Sequence, residues 1–228
     1  MEFSITLIII IITCIISFTG FSNSNVIDNL IFYPPAISKQ KQWWRFFTCG
    51  FIHKDIMHLG FNMYALYLFG QGQESHLLPG VEPIFSSIFH EKAKFLYLSM
   101  YLLALPVCLL PTYNKNKDNY YYKSLGASGA VSAVVFAYIM LNPMQGVGLI
   151  FIPVFIPGFL FGALYLFFSY LLARRGGGGI NHSAHIWGAL FGIAFIIVTS
   201  QLFSDYPVFS SFLDSVKHFD IKRIFTSY

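Results

Sequence analysis

The hydrophobic residues of the chain fall into six long runs separated by polar segments. The runs cover residues 3–22, 56–72, 95–111, 125–141, 149–172 and 182–202. A helix needs about 20 mostly apolar residues to cross a bilayer, and each run comes near that length. The pattern therefore predicts an all-α, polytopic membrane protein with a bundle of six transmembrane helices.

Composition agrees with a membrane protein. Of the 228 residues, 56% are hydrophobic and 11% are charged, whereas soluble domains carry about 25% charged residues. The net charge of +4 is spread over the loops, so nucleic acid is not an expected partner. Cys14, Cys49 and Cys108 stand singly, without the spacing of disulfides or metal ligands, and we expect them to be small apolar packing residues.

The first run is compatible with either a signal peptide or a retained span. Glu2 stands where a signal peptide is basic, and no small-residue cleavage site follows, so a retained span is expected. We therefore expect one membrane domain over residues 1–202. The tail, residues 203–228, alternates phenylalanine with charge, which predicts an amphipathic segment on the membrane surface.

Two connecting segments have recognisable chemistry. Trp43 and Trp44 beside Arg45 are typical of a membrane interface, with the indole rings at headgroup level and the guanidinium reaching lipid phosphates. The four consecutive glycines at 176–179 predict a flexible link between the fifth and sixth spans.

Four of the polar side chains inside the apolar runs matter for chemistry: His58, Asn62, Ser128 and His185. Any one of them alone would commonly bond its own backbone or bridge two helices. Consecutive spans alternate in direction, so spans two, four and six run parallel, and all four side chains stand near the starts of these spans. His58 and Asn62 also share a helix face. The pattern predicts a constructed site at one depth of the membrane.

Small residues provide a means of bringing these helices together. Ala184, Gly188 and Gly192 form one stripe on span six, and span four is rich in glycine and alanine. Such stripes let helix backbones approach closely in lipid, where packing drives association. If the stripes meet, Ser128 and His185 come within hydrogen-bond reach.

The residue types indicate acyl-transfer chemistry. A serine hydroxyl is a weak nucleophile until a base takes its proton, and histidine titrates near physiological pH. No Asp or Glu lies inside a span, so a Ser128–His185 dyad is expected rather than a triad. The candidate donors for the developing oxyanion are the Ser128 N–H, the Asn62 amide and His58. Gly126 and Gly129 would let a substrate backbone approach the hydroxyl.

At these residues the sequence resembles the rhomboid family of intramembrane serine proteases. The matching motifs are Gly126-Ala127-Ser128-Gly129, the Ala184-His185-Ile186-Trp187-Gly188 stretch, His53 with His58 and Asn62, and Trp44-Arg45. The resemblance implies a six-helix fold with a watery cavity and no metal or cofactor. It implies that Ser128 is the nucleophile, His185 the general base, and His58 and Asn62 oxyanion stabilisers, with Gly126, Gly129 and Gly188 as supporting backbone. The implied substrates are single-span transmembrane proteins, cleaved in contact with membrane lipid.

Two features depart from that family. Ser132 stands where the family has an aromatic or bulky residue near the histidine, so another ring such as Trp187 or Tyr138 is expected to pack there. The family places both termini in the cytoplasm, which leaves nine Lys and Arg residues in the external loops and five on the cytoplasmic side. The positive-inside rule favours the opposite orientation. A bacterial plasma membrane is the expected location.

Two other functions compete with the protease. A catalytically silent relative that binds transmembrane helices would need neither Ser128 nor His185. A transporter or channel would need polar residues continuing to the other face, whereas the second halves of spans four and six are apolar.

Overall fold

α-Helices form most of the structure, a computed structural model of the chain that describes residues 4–73, 78–149, 152–175 and 179–220. In chain order the helices are α1 (Ile5–Ser22), α2 (Ser24–Leu30), α3 (Pro34–Gln40), α4 (Arg45–Thr48), α5 (Ile56–Leu66), α6 (Val81–Phe89), α7 (Ala93–Asn116), α8 (Ser128–Leu141), α9 (Gly158–Arg175), α10 (His182–Phe203) and α11 (Val208–Lys217). The strands are β1 (Gly72–Gln73), β2 (Leu78–Pro79), β3 (Gly146–Leu149) and β4 (Ile152–Pro157).

Helices of membrane-spanning length account for part of the predicted set. Within the described residues, α1, the stretch Val81–Asn116 and α10 are long and apolar enough to cross a bilayer, and α8 is apolar but only 14 residues long. α5 has 11 residues and continues as the π-helical turn Tyr67–Gln71. The structure is therefore mostly helical and membrane-spanning. By helix length and composition, three of the six predicted spans are found in the described residues.

Two predicted spans start later than expected. The fourth was expected from residue 125, but Gly126 has φ +116, outside the α-helical region, and α8 begins at Ser128. The fifth was expected from residue 149, but β3 and β4 pair as an antiparallel hairpin there, with Val147 opposite Ile156. Pro153 and Pro157 lack the N–H that a helix interior needs, and α9 begins directly after them at Gly158.

The segment between the first two spans is partly helical. The prediction that the Arg45 guanidinium in this segment reaches lipid phosphates was wrong. Its guanidinium is buried: Nη1 donates to the carbonyl oxygens of Asp28 and Ile31 at 2.8 Å each, and Nε donates to Gln42 at 2.6 Å. The guanidinium thus satisfies carbonyl groups left open at the end of the short helix α2, and its burial keeps it from reaching lipid phosphates. Trp43 and Trp44 remain half exposed, as an interfacial position requires.

The N-terminal end of α1 is tied to the start of α6 by one carboxylate. Glu82 is buried and accepts hydrogen bonds from the backbone N–H groups of Ile5 at 2.6 Å and Thr6 at 2.9 Å, and from the Ser4 hydroxyl at 2.7 Å. An acidic group at a helix N-terminus satisfies open donors and complements the helix dipole. α1 is therefore an integrated part of the packed bundle.

Two expectations fall wholly or partly outside the described residues. Of the glycine link at 176–179, only Gly179 is described, with φ +69. Of the tail, residues 203–220 are described: α11 packs Val208 into the core and leaves Phe209 half exposed.

α8 occupies the centre of the bundle and meets α10 at very close range. Eleven of its 14 residues are buried. A β-carbon added at Gly188 of α10 would overlap the carbonyl oxygen of Gly129, and one added at Gly192 would overlap that of Ala133. The small-residue stripes predicted from the sequence therefore face each other and bring two backbones into contact.

This contact predicts that Gly188→Ala destabilises the protein. The added methyl group meets backbone atoms that cannot rotate away, and overpacking of this kind costs about 1–3 kcal/mol. Gly60→Ala is the matched control, since Gly60 on α5 has no atom within 4 Å of the added carbon. It should leave stability unchanged or raise it by up to about 1 kcal/mol through helix propensity. Thermal unfolding in detergent measures both; equal melting temperatures for the two variants would contradict the packing described.

Candidate active site

Ser128 and His185 meet at the N-terminal ends of α8 and α10. The side-chain oxygen of Asn181 accepts hydrogen bonds from the Ala184 N–H and the Thr112 hydroxyl, both at 3.1 Å, and so caps the first turn of α10. On the next residue, Nε2 of His185 lies 2.8 Å from Oγ of Ser128. The structure thus brings together two residues 57 positions apart, as helix direction predicted.

Tyr165, rather than a carboxylate, stands behind the histidine. Its ring stacks on that of His185, with 6.2 Å between centroids and 21° between planes, and its hydroxyl lies 3.0 Å from Oγ of Ser132. The rings expected from the sequence lie elsewhere: Trp187 is 45% exposed, and Tyr138 packs on Phe69. The available signal for Tyr165 was a hydroxyl-bearing ring in the middle of an apolar run, which Tyr170 in the same run shares.

His58 and Asn62 line the same cavity as the dyad. Nδ2 of Asn62 donates to the His58 carbonyl at 2.9 Å, which leaves its second N–H for another acceptor. The His58 ring lies against Gly126, where an added β-carbon would come within 2.7 Å of its Cε1. Gly126 is therefore required twice, by its positive φ and by the space that His58 fills.

Backbone N–H groups at the start of α8 divide into bonded and open ones. The N–H of Gly126 donates to the Cys49 carbonyl at 2.9 Å, and that of Ala127 donates to Nε2 of His53 at 3.3 Å. In the described part of the chain, the N–H groups of Ser128 and Gly129 have no acceptor. They stand at the positive end of the helix dipole, where an anion is stabilised.

His53 fixes the segment in front of Ser128. The residue was noted only as part of a motif, but it is completely buried. Because Nε2 accepts from Ala127, Nδ1 carries the proton in the neutral ring and donates to Ser17 Oγ at 3.0 Å; Ser17 in turn donates to the Phe51 carbonyl at 3.0 Å. Burial and the neighbouring His58 lower the pKa of His53 to about 3, against the opposing effect of Asp55.

Two cavities meet at the nucleophile. One, of about 680 Å³, has Lys54, Asp55 and Lys123 in its lining and contains the dyad with His58 and Asn62. The other, of about 550 Å³, is lined mainly by apolar side chains of α5, α8 and α9. Ser128 and Asn62 border both. Ser128 is therefore open to a cavity with charged lining on one side and to an apolar cavity on the other.

The described ranges contain no cluster of residues that could bind a metal ion. No group of three His, Cys, Asp or Glu side chains there is placed to hold an ion. Cys49 and Cys108 are buried free thiols, and Cys14 is a half-buried one. The three cysteines pack among apolar neighbours, as their isolated positions predicted.

Comparisons with known proteins agree with the motifs. A family model described as the Rhomboid domain matches residues 40–202. The human presenilin-associated rhomboid-like protein, mitochondrial, is 28% identical over 205 residues, which are 81% of this chain and 48% of that protein. Its mouse counterpart is 31% identical over 159 residues, 67% of this chain and 37% of that protein. The chain thus spans about half the length of these relatives or less. Their mitochondrial names do not fit the expected bacterial membrane.

The His53 contacts predict a pH-dependent stability. A histidine with a lowered pKa in the folded protein stays neutral there, while the unfolded chain takes up a proton below about pH 6.5. The free energy of unfolding should therefore fall as the pH drops from about 7 toward 4, by up to about 1.4 kcal/mol per pH unit for this residue.

His53→Phe removes this part of the pH dependence. It also leaves the Ala127 N–H without an acceptor, which costs about 1–3 kcal/mol at pH 7. Thermal or denaturant unfolding in detergent across that range measures both effects. Parallel stability curves for wild type and variant would contradict the assignment of a buried, neutral His53.

Proposed function

The chain belongs to the rhomboid family, and we propose that it is an intramembrane serine endopeptidase with a Ser128–His185 dyad. The observation that carries the proposal is the 2.8 Å contact between Ser128 Oγ and His185 Nε2 where a polar and an apolar cavity meet. A serine without a base is unreactive, and a histidine at this distance is within reach of its proton.

The proposed reaction has two acyl-transfer steps. Oγ of Ser128 attacks the carbonyl carbon of the scissile bond while its proton passes to Nε2 of His185. The tetrahedral intermediate collapses when His185 returns that proton to the leaving nitrogen, and an acyl-enzyme ester remains. Water, deprotonated by the same histidine, then attacks the ester carbonyl; the bond to Oγ breaks, and His185 returns the proton to Ser128 as the second product leaves.

The negative oxygen of each tetrahedral intermediate needs fixed donors in a place with little water. The open N–H of Ser128 and the second N–H of the Asn62 side chain are proposed for this role, and so is the His58 ring, which borders the same cavity. The Ser128 N–H stands at the N-terminus of α8, whose dipole favours the charge, and the other two donors are side chains of α5.

Transmembrane segments of single-span proteins are the proposed substrates. An apolar segment in the lipid can contact the cavity between α5, α8 and α9, while hydrolytic water reaches Ser128 through the polar cavity. A peptide bond inside an α-helix hides its carbonyl, so we expect cleavage at a small-residue or unwound stretch. The expectation that Gly126 and Gly129 make room for a substrate backbone was wrong, because an added β-carbon would meet His58 at Gly126 and Cys108 at Gly129.

The chain is an integral membrane protein of this family, and its finer architecture is part of the proposal. We infer a core of six crossing segments, α1, α5, α7, α8, α9 and α10, with α11 on the membrane surface. The Lys and Arg distribution opposes the orientation that is usual in the family, and the relatives carry mitochondrial names. Orientation and host membrane are therefore separate measurements.

A catalytically silent, helix-binding relative is the competing function. Such a protein would need the apolar cavity but no hydrogen bond between a serine and a histidine. The Ser128–His185 contact, with open N–H donors beside it, therefore favours the protease.

Cleavage of a model substrate tests the proposal. Wild-type protein in detergent should cut a single-span peptide with a small-residue stretch, and Ser128→Ala and His185→Ala should each lose activity by about 10³-fold or more. Ser210→Ala and His218→Ala are matched controls, because both residues are exposed on or beside α11. No cleavage by any of the five proteins, or equal cleavage by wild type and Ser128→Ala, would contradict the protease.

Asn62→Ala tests the oxyanion site. Loss of one such donor lowers kcat by about 10²–10³-fold with little change in KM, because the interaction strengthens only as charge develops. Mass spectrometric detection of product gives the rates, and thermal unfolding gives the stability. A variant that keeps its activity would contradict a role for Asn62 in the oxyanion site. A variant that loses activity only because it unfolds would assign Asn62 a structural role.

A further inference from the structure

The imidazole of His185 is held by a single hydrogen bond. In the described part of the chain its only polar contact is the one from Nε2 to Ser128, and Nδ1 has no partner. His182 lies edge-on at 5.8 Å but belongs to the same helix, so it moves together with His185. A base that must accept and return a proton within one reaction needs its ring plane fixed by something on another helix.

We propose that Tyr165 on α9 is the positioning residue for His185. This inference rests on the proposed function, since ring orientation affects the rate only if His185 acts as the base. The two rings are near-parallel, 21° apart in plane, so the tyrosine covers one face of the imidazole and restricts its rotation. The described residues show no hydrogen bond between Tyr165 and Ser128, so the tyrosine is proposed to act through the histidine.

Tyr165 is itself held on two sides. Its hydroxyl is within hydrogen-bond distance of Ser132 at 3.0 Å, and its ring packs on Phe136 at 5.6 Å and Phe161 at 6.2 Å between centroids. Both Ser132 and Phe136 are buried residues of α8. The ring that supports the base is thus fixed to the helix that carries the nucleophile.

These contacts form a closed circuit through three helices. Ser128 bonds His185, His185 stacks on Tyr165, Tyr165 bonds Ser132, and Ser132 lies one helical turn after Ser128 on α8. The stacked ring is the member of this circuit that restricts the imidazole directly, and the Tyr165–Ser132 bond supports that ring from behind. A serine at position 132 therefore compensates for the aromatic residue expected there, because it anchors a ring from the neighbouring helix.

α9 is the most loosely packed member of the circuit. Among its residues with described surroundings, only Gly158, Gly162 and Ser169 are buried, and Phe167, Phe168 and Tyr170 are more than half exposed. Gly162 faces α8 at short range, since a β-carbon added there would lie 3.2 Å from Phe136 and 3.3 Å from Ile139. Outward movement of α9 would withdraw Tyr165 from His185, so the position of α9 is coupled to the competence of the base.

Steady-state kinetics with the single-span model peptide test the proposal. Tyr165→Leu removes the ring and should lower kcat about tenfold to a hundredfold while KM stays within about twofold. Tyr165→Phe keeps the stack and loses only the bond to Ser132, so it should retain most of the activity. Ser132→Ala should match Tyr165→Phe, and the double variant should be no worse than either, because both remove the same bond.

Three further variants separate positioning from general packing. Tyr170→Leu makes the same change on the exposed side of α9 and should leave kcat unchanged. Gly162→Leu pushes α9 away from α8 without touching the dyad and should lower kcat as Tyr165→Leu does, whereas Gly60→Leu, in open space on α5, should not. Thermal unfolding in the same detergent identifies any variant that fails to fold.

The outcomes distinguish this inference from the function on which it rests. A wild-type protein that cleaves, with a folded Tyr165→Leu of unchanged kcat, would overturn the positioning role alone. The same holds if Tyr165→Phe is as impaired as Tyr165→Leu, since the stacked ring would then be irrelevant. A wild-type protein that does not cleave the peptide would overturn the proposed function and the inference with it.

Discussion

The contact between the backbones of α8 and α10 is the constraint on which the site depends. Gly188 lies against the Gly129 carbonyl and Gly192 against that of Ala133, with no room for a side chain at either crossing. In lipid the hydrophobic effect does not drive helices together, so their association must come from close packing. Only at this separation can a serine, whose side chain is short, reach Nε2 of His185 at 2.8 Å.

Around that contact the molecule satisfies polar groups by specific local partners. His53 accepts the N–H of Ala127, Glu82 takes the open donors of α1, and Arg45 binds the carbonyls of short helices. A buried polar group without a partner costs about 1–3 kcal/mol, so each of these side chains removes a penalty that the bundle would otherwise carry. The N–H groups of Ser128 and Gly129 have no acceptor in the described residues, and they border the dyad. This is the basis on which the oxyanion is proposed to be bound there.

Much of the site could be predicted because helix direction and side-chain type carry long-range information. Parallel spans placed Ser128, His185, His58 and Asn62 at one depth, and the small-residue stripe at Gly188 indicated which helices meet. Membership of the rhomboid family, inferred from the motifs, is confirmed by the match over residues 40–202. These features depend on periodicity, which the sequence displays directly.

The remaining features depend on conformations that periodicity does not report. A positive φ at Gly126 and prolines before Gly158 moved the starts of two helices. Tyr165 was missed because it is one of several aromatic residues in its apolar run, and no pattern there assigns one of them to the histidine. Arg45 was misassigned because tryptophan beside arginine indicates an interface whether or not the guanidinium faces it.

Reactivity of Ser128 tests the central claim most directly. A fluorophosphonate reacts with an activated serine, forming an oxygen–phosphorus bond as fluoride leaves and the proton passes to the base. Peptide mapping of the treated wild-type protein by mass spectrometry should find the adduct on Ser128 and on no other serine. An unmodified Ser128, or an adduct of equal yield on an exposed serine such as Ser210, would contradict an activated nucleophile at this crossing.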